Sequence, residues 1–146
     1  MQLAYQQEQF SVPENLYIIG MMNTADRSLA LIDYALRRRF SFFTMKPDYQ
    51  LESFRNYQKQ VNNPHFDTLI RTVEDLNTVI TDDSALGSGF CIGYSYFCDS
   101  IEKIDDDWIN SVVEYDLIPT LEEYWFDDQT KVGFEYGFHS YLRAIG

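Results

Sequence analysis

Between Leu16 and Phe40 the chain reads LYIIGMMNTADRSLALIDYALRRRF, an apolar run that stops at Asn23 and passes into a short helical pattern closing on three arginines. Leu16 to Met22 is short, apolar and bounded, which reads as a buried parallel strand. Pro13-Glu-Asn ahead of it is a turn signal. Leu29, Ile32 and Leu36 share one helical face, and Asp33 and Arg37 are spaced for an i,i+4 pair. Asp26 or Ser28 is placed to cap this helix. Phe40–Met45 reads as a second short strand.

The chemistry open to this segment centres on Asn23 and the arginines. The carboxyl edge of an α/β sheet is where ligands bind. A neutral amide there can orient a water against a terminal phosphate without adding charge. Asn23 can also end its strand through an Asx turn. Arg37, Arg38 and Arg39 can offer guanidinium groups to a phosphate that gains charge in a transition state. At a helix end, arginines also complement the dipole and the orphan carbonyls, which accounts for one arginine better than for three.

Beyond Lys46-Pro-Asp the charge balance and the periodicity both change. Residues 1–46 carry five Lys/Arg against four Asp/Glu, and residues 47–146 carry six against nineteen, within a formal net charge of −12. The acidic part repels a nucleic-acid backbone, so a DNA-contacting role is not expected of this chain. Any anion chemistry belongs in the first third. The 45% hydrophobic content, with 11 Tyr and 11 Phe, is enough for a core and argues against disorder. The pattern after Pro47 is mostly helical: Tyr49–Val61, then Phe66–Ile80 with Leu69, Val73, Leu76 and Ile80 on one stripe, then Asp105–Phe126 with Pro119 forcing a start, kink or break. Asn62-Asn-Pro separates the first two helices, and Asp127-Asp is placed to cap a last one through Tyr141. Residues 87–93 read as a loop or short extended element. Cys91 and Cys98 form no Cys-x-x-Cys pair, and His65 and His139 lie far off in sequence, so no metal site is expected. Two reduced, mostly buried thiols, no signal peptide and no membrane-spanning run suggest a cytoplasmic protein.

The wording MNTADRS followed by IDYALRRRF resembles the sensor-1 strand and arginine-finger helix of an AAA+ nucleotidase, and is similar to the McrB family in particular. That family supplies the nucleotide-driven motor of modified-cytosine-dependent DNA restriction. A second stretch, Leu86-Gly-Ser-Gly-Phe-Cys-Ile-Gly-Tyr-Ser-Tyr-Phe97, is similar to the lid segment of the same family. A third, Trp108 to Asp128, resembles its closing lid helices, with Tyr124, Trp125 and Phe126 read as lid core. The resemblance implies an α+β chain, mostly α. Residues 1–46 would be two strands of an AAA+ parallel sheet with their helix, and residues 47–146 a self-sufficient helical lid. In the family's 5-1-4-3-2 strand order, Leu16–Met22 would be strand 4 and Phe40–Met45 strand 5.

Carried over residue by residue, the resemblance makes Asn23 sensor 1 and places the trans-acting finger at Arg38 or Arg39. Asp26, Arg27 and Arg37 would organise the subunit interface. Gly89, Cys91 and Gly93 fall at the sensor-2 position of the lid. Family members often carry Arg where this chain has Cys91, and a thiol supplies no cation. The 146 residues contain no Gly-x-x-x-x-Gly-Lys-Ser/Thr phosphate loop and no acidic strand end before Asn23 to hold magnesium. The resemblance therefore implies GTP (or ATP) and Mg in a complete motor, with no tight nucleotide binding and no hydrolysis by this chain alone. Its implied partners are like subunits of a hexameric ring and a nuclease subunit. A non-catalytic interaction module or inert subunit derived from such a motor is the other expectation.

Overall fold

The computed structural model describes residues 11–22 and 38–127. Its helical body runs as α1 (Glu52–Val61), α2 (Pro64–Asp82), α3 (Asp106–Val112), a π turn (Val113–Leu117) and α4 (Ile118–Tyr124). Three 3-10 turns, Ser88–Phe90, Tyr94–Phe97 and Ile101–Lys103, carry the chain from α2 to α3.

Sequence chemistry sets each helix end. Asp48 forms the turn that delays α1 to Glu52: its carboxylate accepts from the Gln50 amide at 2.9 Å and its carbonyl from the Leu51 amide at 3.3 Å. Asn62 closes α1 in the left-handed region (φ 50°), a conformation asparagine tolerates. Its neighbour Asn63 opens α2, accepting from the His65 and Phe66 amides at 2.8 and 3.4 Å, and Pro64 takes the first helical position. Asp105 caps α3 by accepting from the Trp108 amide at 2.8 Å.

The expected stripe on α2 is the centre of the core. Leu69, Val73, Leu76 and Ile80 are all fully buried, and Phe66 and Ile70 widen the face. Phe97, Ile92, Ile109, Val113 and Leu117 pack over it from the later segments. No polar or charged residue is buried among the described residues. At one edge, Asp106 ties the start of α3 to the start of α2: one carboxylate oxygen accepts from the Asn63 amide and meets His65 Nδ1, both at 3.0 Å. Those hydrogen bonds, Asn63 first, hold the Asp106 carboxyl below its usual range.

Pro119 explains the π turn. It has no N–H to donate, and its ring crowds the carbonyl one turn back. The helix widens just before it, with the Ile118 amide bonded to the Val113 carbonyl. Asp106–Tyr124 is thus one helical run with a widened turn inside it rather than a broken helix.

Among the described residues no strand is present. The segments Leu16–Met22 and Phe40–Met45, expected as strands, show no regular structure among the described residues, and Leu16–Met22 is exposed throughout. A strand exists only by pairing with another. Ile19, Met21, Phe43 and Met45 are each at least 88% exposed. Exposed apolar segments of this kind favour self-association. The double change Ile19→Lys and Phe43→Lys is expected to shift the chain toward monomer in sedimentation velocity at micromolar concentration, and an unchanged distribution counts against these segments as the sticky surface. Among the described residues no helix is long and apolar enough to cross a membrane, and no cluster of three or more His, Cys, Asp or Glu is arranged to hold a metal.

Candidate functional site

Asn23, Asp26, Arg27 and Arg37 lie outside the described residues. Arg38 and Arg39 stand in an exposed turn leading to Phe40. What the structure does describe is the loop that carries Gly89, Cys91 and Gly93, fastened to the last two turns of α2 through Cys91 and Ile92.

The loop starts at Gly87, whose backbone (φ 80°, ψ −177°) lies in a region open only to glycine, while its amide bonds back to the Ile80 carbonyl at 3.1 Å. Ser88–Phe90 forms a 3-10 turn, within the loop that is one of the two expectations for residues 87–93. Phe90 then packs edge-on against Tyr124 of α4, ring centres 5.3 Å apart. Cys91 is half-buried with its thiol turned toward α2, 3.2 Å from Thr81 Oγ1 and 3.7 Å from the Asn77 carbonyl. Cys98 is exposed, so the expectation of two mostly buried thiols is corrected. It follows the Tyr94–Phe97 turn, its thiol bonded to the Tyr94 carbonyl at 3.2 Å.

Ile92 is the point of attachment. Asn77 receives the Ile92 amide at 2.6 Å and donates to the Ile92 carbonyl at 2.9 Å, so one side-chain amide reproduces both bonds of a strand neighbour. The Tyr49 hydroxyl donates to the same carbonyl at 2.9 Å. Burial, with Glu74 nearby, pushes the Tyr49 phenol far above its ordinary value, so it keeps its proton and stays a donor. Farther along, Trp125 Nε1 donates to Asp83 at 2.9 Å and fastens the end of α4 beside the end of α2. Trp125 is buried and Tyr124 packs on the core as expected, whereas Phe126 is 83% exposed and is no part of it. The helix ends at Tyr124, so the residue after Trp125 turns outward.

Sequence reading passed over Tyr49, Asn77, Thr81 and Asp83. Asn77 carried a signal: it sits beside the stripe residue Leu76 and one turn before Thr81, a polar pair on the edge of an apolar face. Gly87→Ala is expected to cost about 1–3 kcal/mol, from the strained backbone alone, because an added Cβ meets nothing within 4 Å. Gly93→Ala is expected to be nearly neutral, its Cβ meeting only Ser95 Oγ at 3.7 Å. Urea unfolding of the two variants checks the contrast.

Residues 68–133 match the family described as McrB, alpha-helical lid domain. The chain is also 48% identical over 131 residues to the type IV methyl-directed restriction enzyme EcoKMcrB subunit of Escherichia coli strain K12. The match takes in 86% of this chain and 28% of that relative, so the chain spans well under a third of its length.

Proposed function

We propose that this chain, matched to the McrB helical lid over residues 68–133, provides lid, sensor-1 and arginine-finger elements to a GTP-hydrolysing motor of a methyl-directed DNA restriction system. The match over the lid carries this reading. The relative, a methyl-directed restriction enzyme subunit, suggests the restriction role, and the resemblance suggests GTP (or ATP) with Mg.

In this reading Asn23 orients the attacking water. Arg38 or Arg39 reaches the neighbouring subunit's nucleotide, with Asp26, Arg27 and Arg37 shaping the interface. The Gly87–Gly93 loop closes over the nucleotide of its own subunit. Phosphoryl transfer is limited by positioning and charge neutralisation, which are the services these groups supply. The phosphate loop has to come from elsewhere, so the chain by itself turns nothing over. Like subunits of a ring and a nuclease subunit are the partners.

One observation favours a second reading. Cys91, which the resemblance puts at the sensor-2 position, turns a thiol rather than a guanidinium toward α2. A lid without that cation has lost one nucleotide contact, as expected of a non-catalytic subunit that serves only to complete an assembly.

Mixing separates the two. The chain is added to a full-length McrB-type motor whose own finger has been removed, and GTP turnover is followed. Restored turnover supports the finger-donating reading. Co-sedimentation with the motor and no turnover supports the inert subunit. A folded chain that neither binds nor stimulates sinks both.

A further inference from the structure

Among the described residues Tyr49 is the first buried one: everything before it is exposed or, at Pro47, half-buried. The extended segments therefore join the helical body at Tyr49. Its ring is held edge-on by Phe54 at 5.3 Å and Tyr94 at 6.3 Å and lies tilted beside Phe97 at 6.2 Å. Its hydroxyl crosses 43 positions of sequence to the Ile92 carbonyl, which Asn77 also holds. The residue before Ile92 is Cys91, at the sensor-2 position. The first anchor of the lid and the fixing point of its loop thus share one carbonyl oxygen.

We propose that Tyr49 and Asn77 are positioning residues forming a relay, in which Tyr49 carries movement of the Lys46–Asp48 boundary to the Gly87–Gly93 loop and Asn77 supplies the fixed reference on α2. A displaced Tyr49 moves its hydroxyl relative to Asn77, and Ile92 follows one or gives up a bond to the other. Two rigid rings on one side and a long helix on the other leave little slack for the motion to dissipate. The relay matters to nucleotide only if the lid reading above holds, but its mechanics are properties of this chain alone.

The test is a double-mutant cycle on the 146-residue chain without nucleotide. Pro47→Gly loosens the boundary, and Tyr49→Phe removes one oxygen while keeping the ring. Amide exchange at Ile92 is the readout, and urea midpoints show that each variant is folded. Tyr49→Phe is expected to speed Ile92 exchange about two- to tenfold, the scale of one hydrogen bond. Pro47→Gly is expected to speed it in the wild type and to add nothing in the Tyr49→Phe background. Labelling of the Cys91 thiol by an aromatic disulfide reagent, in Cys98→Ser chains, is expected to follow the same pattern. Additive effects, or Ile92 exchange indifferent to Pro47→Gly, overturn the relay. The outcome is separable from the mixing experiment, because no motor and no nucleotide take part.

Discussion

Alanine at both Arg38 and Arg39 is expected to abolish the GTP turnover that the wild-type chain restores to a finger-deficient motor, a loss of about 10³- to 10⁵-fold. The magnitude follows from what a finger does. It meets charge that exists only in the transition state, in a site from which water is excluded, so its removal lowers the rate rather than binding. Both side chains stand in an exposed turn, so the change should leave the helical body intact. Circular dichroism and the urea midpoint should match the wild type while turnover collapses. Lysine at the same positions should rescue little, because an ammonium lacks the planar fork of donors. Turnover that survives both alanines would remove the finger from this segment.

The second large effect is on stability. Phe97→Ala is expected to cost about 3–5 kcal/mol, a large share of the roughly 5–15 kcal/mol that holds an ordinary domain together. Phe97 is fully buried and packs beside Tyr49 and Tyr96, ring centres 6.2 and 6.3 Å away. Truncation leaves a cavity bordered by rings that cannot collapse into it. Phe97→Leu keeps much of the volume and should cost far less. Urea titrations of the two should show the alanine midpoint shifted strongly with the slope m unchanged. A loss under 1 kcal/mol for alanine would mean that the loop packs more loosely than its burial implies.

The helical body was legible because its determinants are local. The four-residue stripe of α2, the Asn62-Asn63-Pro64 break and the disturbance at Pro119 are all chemistry of neighbours in sequence. The two apolar segments, which show no strand among the described residues, depend on the opposite kind of information. Leu16–Met22 has the composition of a strand, but pairing is a contract between distant segments that composition cannot express. Of the candidate site, Gly89, Cys91 and Gly93 were reached through resemblance to a lid. The groups that hold them, Tyr49 and Asn77, were not, because each acts through side-chain hydrogen bonds across 43 or 15 positions. Burial alone could not have distinguished Tyr49 from any other core aromatic.

The π turn bears on how this lid tolerates change in length. Ile109, Val113, Leu117, Leu121 and Trp125 are buried at a strict spacing of four. On a straight α-helix that spacing drifts about 40° per step, enough to carry Trp125 away from the side that faces Ile109. The wide turn takes up the drift and keeps Trp125 within reach of Asp83. It therefore acts as an inserted residue already accommodated. Excising one position between Val113 and Leu117 would return the run to ordinary helical phase with both flanking faces still directed inward. Among all places in the helical body, this is where a one-residue deletion should disturb the packing least.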